Sequence, residues 1–335
     1  MNGYGTSAGI STKIAGMGMC VPDQVLSSAD LSQRLNLPED WIPSHVGIRE
    51  RHLAAAGQGT ADIAAVAAER ALADAKVSAS EVDLVIVATE SPERPIPSTA
   101  CILQDRLHLA RAAAFDLNAA CSGFVYALTV GSQFIATGTY RNILVIGADV
   151  VSPNVNWEDP ATCILIGDGA GAVVLQPAEA GQGILAWKLG ADGSGGDHLT
   201  IPAGGSQLPI THQLIDEKQH FVQMNGQEIS LFALRTVPAV TRQALALAGL
   251  SVSDISLFIP HQANGHILEV VARRLELPPE KVVINVDRFG NTVAASIPIA
   301  LCEARESGRI KPGDIVVLTG FGAGLTWGSV VLRWV

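Results

Sequence analysis

The sequence predicts an α/β protein of five layers, α/β/α/β/α, built from two pseudo-symmetric halves, and three observations carry that expectation. First, apolar strand-like runs alternate with small-residue helical stretches, as in buried parallel or mixed sheets covered by helices. Second, residues 71–87 and 244–260 both read as helix, short turn with an acidic residue, then buried strand. Each is followed by a helix (97–107 and 264–275), a strand (112–117 and 281–286) and a small-residue helix. Third, the halves close alike, on Ile164-Leu165-Ile166-Gly167-Asp168-Gly169-Ala170-Gly171 and Val317-Leu318-Thr319-Gly320-Phe321-Gly322-Ala323-Gly324. The boundary falls near 176–181, dividing the chain into 1–178 and 179–335. The Gly-rich stretch 181–225 reads as a long surface connection. Neither GxGxxG after a strand nor a Walker pattern occurs in usable form, so 167–171 and 320–324 are expected to be tight turns rather than nucleotide loops.

With 48% apolar and 16% charged residues among 335, the chain has ample material for a continuous core. A net charge of −10 argues against nucleic acid or an anionic membrane surface as a general partner. The five cysteines at 20, 101, 121, 163 and 302 form neither CxxC pairs nor a His/Cys cluster. That odd, scattered count fits a reducing cytoplasm better than a disulfide framework, and it offers no metal site. The N-terminus lacks the basic start and long apolar run of a signal peptide. No stretch approaches ~20 uninterrupted apolar residues, so no membrane span is expected.

Cys121 is the candidate nucleophile. The run Ala112-Ala113-Ala114-Phe115-Asp116-Leu117 reads as a buried strand, Asn118-Ala119-Ala120-Cys121-Ser122-Gly123 turns the chain, and Phe124 begins a helix reaching about Thr137. A thiol there sits at the positive end of a helix dipole, which favours thiolate. Small neighbours leave room for a substrate carbonyl.

Two partners stand at matching places in the second half. One strand ends in Ile259-Pro260-His261-Gln262-Ala263-Asn264, and the next leads into Phe289-Gly290-Asn291-Thr292. Ligand sites in open α/β sheets collect at such strand ends. A Cys/His/Asn set suits two enzyme classes. Papain-like proteolysis has compatible spacing, but its cysteine belongs in a different local context near the mature N-terminus. Thioester carbon–carbon bond formation is the other.

Across nearly its whole length the chain closely resembles the β-ketoacyl-acyl-carrier-protein synthase III family of thiolase-like condensing enzymes. The resemblance rests on Trp41-Ile42, Gly47-Ile48-Arg49-Glu50-Arg51-His52, the stretch from Asp116 to Phe124, and Gly167-Asp168-Gly169-Ala170-Gly171. It continues through Gly190-Ala191-Asp192-Gly193, Pro260-His261-Gln262-Ala263-Asn264, Gly290-Asn291-Thr292, Ala294-Ala295-Ser296 and Thr326-Trp327-Gly328. It implies a thiolase-like fold and a cytoplasmic homodimer that takes acyl-CoA and malonyl-acyl-carrier protein as substrates, with no metal or redox cofactor. Cys121 would hold the acyl group, while His261 and Asn291 donate to the malonyl thioester carbonyl. The backbone N–H groups of Cys121 and Ala323 would form the oxyanion hole, with Phe321 close by. Trp41, Ile96, Phe321 and Asn264 would bind substrate, and Gln262, His266, Arg273 and Arg274 would dock the carrier. The chain departs from the family in having Pro160, His45 and His266 where arginines are usual, which leaves fewer fixed charges for phosphate. Ile96, smaller than phenylalanine, implies room for an acyl group longer than acetyl. The resemblance also allows a relative of secondary metabolism that condenses an unusual acyl donor or passes it to a hydroxyl or amine.

Overall fold

A computed structural model describes residues 9–335. In the first half, β1 (Ser11–Cys20), β2 (Leu84–Ala88), β3 (Ala113–Leu117), β4 (Ile143–Asp149) and β5 (Gly169–Ala178) form one sheet in the order β1-β5-β4-β2-β3. There β2 runs parallel to β3 and β4, whereas β5 is antiparallel to β1 and β4. In the second half, β6 (Gly183–Ala191), β7 (Leu257–Pro260), β8 (Ile315–Gly322) and β9 (Thr326–Arg333) lie in the order β7-β8-β9-β6. The pairing repeats, with β7 parallel to β8, and β9 antiparallel to β8 and β6.

Side-chain alternation along the strands builds the layers. Ile86 and Val145 of the first sheet and Ile259, Leu318 and Val330 of the second point into one shared core. That core is filled by α3 (Gly123–Ala136), through Phe124 and Leu128, and α6 (Ser296–Glu306), through Ile297 and Leu301. The intervening residues face outward. Val85, Val87 and Ile146 meet α1 (Thr60–Ala75) and α2 (Thr99–Arg106). Val317, Phe321 and Val331 meet α4 (Gly226–Leu247) and α5 (Gly265–Arg274). The result is the expected α/β/α/β/α body.

Four local expectations are corrected. Residues 281–286 do not form a strand: only a bridge from Phe258 to Val282 remains, followed by a short helix at Val286–Phe289. The buried Gln262 side chain accepts the N–H groups of Asn285 and Val286, so backbone donors that a ladder would use are already taken. The stretch 181–225 is not merely a surface connection, because its first part is β6, registered against β9. The glycines of 167–171 and 320–324 lie mostly in or beside strands, where they permit close packing. A Cβ on Gly171 would lie 2.6 Å from Pro298 Cβ of α6. Finally, β3 is a sheet edge, with Ala113 exposed and the rest half-buried.

Candidate active site

The chain leaves β3 and enters α3 through a single tight turn, Ala120–Ser122, with Ala120 at φ 47°. Cys121, on that turn, is 5% exposed. The second sheet closes against it. A Cβ on Gly322 of β8 would lie 2.8 Å from the Cys121 backbone nitrogen. The Ser122 and Thr326 hydroxyls, 2.9 Å apart, reach the Ala119 and Ala323 carbonyls at 2.8 Å each and lock the two segments together. Ala323 therefore stands beside the cysteine turn.

His261 follows β7, and its backbone N–H donates to Thr319 of β8 at 2.8 Å. Its ring meets Phe321 edge-on at 5.2 Å. Burial holds the imidazole neutral, lowering its pKa from 6.5 to about 3. Nδ1 lies 2.6 Å from the Ser296 hydroxyl at the start of α6. That oxygen also accepts the Gln262 N–H at 3.4 Å, and Nδ1 is the acceptor its proton has among the described residues. The hydroxyl therefore donates to Nδ1, and the ring proton sits on Nε2.

Asn291 is pinned across the halves. Its N–H donates to Leu165 at 2.8 Å, and its carbonyl accepts from Gly167 at 3.0 Å. Its side-chain Oδ1 accepts the Val293 N–H at 2.9 Å, which orients the amide and leaves Nδ2 as a donor. Val293 joins Cys121 in one apolar cluster, and the turn it begins packs against the cysteine turn.

A cavity of about 350 Å³ runs along this turn, walled by Ala119, Ala120, Ala323 and Gly324, with Glu90 and Asn118 also lining it. Asp149, at the end of β4, organises that wall. Its Oδ1 accepts from the Thr89 hydroxyl and from the N–H groups of Glu90 and Ser91, and its Oδ2 accepts the Ala294 N–H at 3.0 Å. Burial raises both carboxyls; the Asp149 charge raises Glu90 further, whereas the donors around Asp149 pull its own carboxyl back down. Burial first, then Glu90 and Asp149, push the Cys121 thiol well above its ordinary value. The expected thiolate is thus corrected: burial and the two nearby carboxyls favour the thiol as the resting form of the sulfur.

The remaining predicted residues fall in separate places. Trp41 is stacked by His45, with ring centroids 4.0 Å apart. His266 Nε2 lies 2.9 Å from the Ser44 carbonyl, so Trp41, His45 and His266 gather at one surface region. Asn264 caps α5, accepting the His266 and Ile267 N–H groups. Arg273 and Arg274 are exposed on α5. Gln262, expected at the docking surface, is 1% exposed and bonds Pro260 and Val283 through Nε2, so it is a structural residue. Ile96 is 86% exposed, and Phe321 is buried at 2%. Sequence reasoning missed Glu90, Asp149 and the role of Ser296, although Ser296 stands within a motif it used.

The layered body is that of the thiolase-like condensing enzymes. The model of 3-oxoacyl-[acyl-carrier-protein (ACP)] synthase III matches residues 115–193, and that of the synthase III C terminal matches 245–334. β-Ketoacyl-[acyl-carrier-protein] synthase III of Desulfitobacterium hafniense is 50% identical over 97% of this chain and 98% of its own length. The crystal structure of 3-oxoacyl-[acyl-carrier-protein] synthase III from Aquifex aeolicus is 42% identical, with a TM-score of 0.90 over 97% of this chain and 100% of that one. A priming β-ketosynthase from the R1128 polyketide biosynthetic pathway is 30% identical, with a TM-score of 0.90 over 97% of each chain. The chain belongs to the 3-oxoacyl-[acyl-carrier-protein] synthase III family.

Proposed function

We propose that the protein joins an acyl group from acyl-CoA to malonyl-acyl-carrier protein with loss of carbon dioxide, giving a 3-oxoacyl-acyl-carrier protein and initiating fatty acid synthesis. One observation carries this reading over proteolysis: His261 is neutral, with Nδ1 occupied and its proton on Nε2. A protease of the Cys/His type needs an imidazole that takes the thiol proton. This one is arranged to donate, as Asn291 is through Nδ2, and two neutral donors suit a developing enolate oxygen.

In the first half-reaction Cys121 sulfur attacks the acyl-thioester carbon and coenzyme A leaves, the thiol proton passing to the departing sulfur. The tetrahedral oxyanion takes the backbone N–H groups of Cys121 and Ala323. In the second, malonyl-acyl-carrier protein loses carbon dioxide, and His261 and Asn291 hold the enolate oxygen. The enolate carbon attacks the acyl carbonyl, and Cys121 sulfur leaves as a thiolate and takes a proton from solvent. Every step is redox-neutral, so the chemistry calls for a CoA thioester as substrate and no redox cofactor.

Trp41, Phe321 and Asn264 contribute to the substrate path, and His266, Arg273 and Arg274 to the carrier-facing surface. The units 1–178 and 179–335 each supply part of the site. An exposed Ile96 and the edge strand β3 suit pairing with a second copy, hence a homodimer. Among the described residues no helix is long and apolar enough to cross a membrane. Five unpaired cysteines accord with a cytoplasmic setting.

A second reading, an enzyme of secondary metabolism using an unusual acyl donor or passing it to a hydroxyl or amine, is favoured by the acidic cavity wall at Glu90. Product analysis with acyl-CoA and malonyl-acyl-carrier protein tests both. A 3-oxoacyl product with matching carbon dioxide supports condensation, and acyl transfer without carbon dioxide overturns it.

A further inference from the structure

The cavity beside Cys121 is oddly furnished for a plain alkyl chain. Ala119, Ala120, Val151, Val222 and Ala323 give it apolar walls, neutral polar residues such as Asn118, Asn154 and Thr200 line it too, and Glu90 is its one ionisable residue. Glu90 is half-buried, and its carboxyl oxygens make no hydrogen bond to the protein among the described residues, although its backbone N–H is held by Asp149 at 2.9 Å. No lysine, arginine or histidine lines the space. Asp149 cannot serve a ligand, because its Oδ1 alone accepts from Thr89, Glu90 and both the N–H and the hydroxyl of Ser91. A carboxyl that faces a cavity with no donor from the protein is left for water or for a ligand that supplies the missing bond, and a site built around it favours the ligand that does so.

We propose that the acyl cavity selects an acyl group bearing a hydrogen-bond-donating substituent, a hydroxyl or an ammonium, which bonds the Glu90 carboxyl. This rests on the condensing reading above and names its donor class. Asp149, with its several donors, keeps a negative charge more easily than Glu90, which has none. The resting Glu90 is therefore held towards its protonated form, its carboxyl raised by burial and by Asp149. A hydroxyl would bond either form. An ammonium would favour the carboxylate, the carboxyl proton passing to solvent, and leave an ion pair in a space with no other cationic side chain.

The test measures the rate of acyl-enzyme formation by intact mass with two isosteric donor sets. These are 3-methylbutyryl-, 3-hydroxybutyryl- and 3-aminobutyryl-CoA, and heptanoyl-, 6-hydroxyhexanoyl- and 6-aminohexanoyl-CoA. Within at least one set, a polar donor is expected to exceed its alkyl match by about tenfold or more in kcat/KM. Glu90→Leu should erase or invert that ranking. Glu90→Gln should keep a hydroxyl preference and lose an ammonium preference, which separates the two sources. Alkyl donors equal to or better than polar ones in both sets, or an unchanged ranking in Glu90→Leu, overturns the inference. Alkyl acylation followed by condensation would leave the enzymatic reading standing; no acylation by any donor would sink that reading itself.

Discussion

The Ser296 hydroxyl lies 2.6 Å from Nδ1 of His261, and this contact decides which ring nitrogen carries the proton. The two residues come from different elements of the second half, the end of β7 and the start of α6, brought together by packing. A base would need Nε2 free of its proton; a donor needs it occupied, and Ser296 provides the second condition.

Ser296→Ala should therefore slow malonyl decarboxylation by about tenfold, the scale of one lost buried hydrogen bond, while acylation of Cys121 changes little. Ser296→Thr, which keeps a hydroxyl, should recover most of the loss. Rapid-quench measurement of each half-reaction checks this. An equal drop in both, unrescued by threonine, would mean that Ser296 only supports the fold.

Replacing His261 or Asn291 by alanine should spare acyl-enzyme formation and depress carbon dioxide release by about a hundredfold or more, the usual loss for one oxyanion donor. Labelled malonyl-acyl-carrier protein gives the second number directly. Intact decarboxylation in either variant would remove that residue from the enolate site.

The pH dependence follows from a histidine held neutral. Because His261 titrates near 3 in the fold and at 6.5 when exposed, the unfolded chain binds the extra proton between those values. Its contribution to stability falls as pH drops through that window, and is absent from the slope above it. Decarboxylation should show no acid limb near 6.5 that vanishes in His261→Ala. Such a limb in the wild-type profile would contradict the buried neutral ring.

Gly322→Ala should damage acylation specifically. The added methyl would meet the Cys121 backbone nitrogen at 2.8 Å and its Cβ at 2.9 Å, atoms fixed by the turn. Overpacking of this kind costs about 1–3 kcal/mol and displaces the sulfur. Acylation should fall by about a hundredfold for a small misplacement, with a lowered melting temperature. Unchanged acylation would show that β8 does not position the nucleophile.

The layers were legible in the sequence because central strands such as β2 and β4 are apolar on both faces and alternate with helices, although the second half lacks the strand expected at 281–286. Cys121 and His261 were legible because each stands where a strand gives way to a turn, whereas Asn291 follows the short helix Val286–Phe289 instead of a strand. Glu90 and Asp149 were not, because nothing local marks two acids from different strands that meet only across β2 and β4. The state of the thiol was misjudged for the same cause: the helix N-terminus is visible in sequence, whereas desolvation and distant carboxyls are not. Gln262 looked like a surface residue beside a catalytic one until the fold placed its amide against Asn285 and Val286. A glycine run looked like a turn because close packing between layers leaves the same mark in sequence as a bend.

The most direct measurement of the central claim is intact-protein mass after incubation with acyl-CoA, followed by addition of malonyl-acyl-carrier protein. A mass gain equal to the acyl group, located on the peptide bearing Cys121, absent in Cys121→Ala and discharged on adding the carrier substrate, is the predicted result. A gain that persists in Cys121→Ala, or one that malonyl-acyl-carrier protein leaves in place, would contradict it.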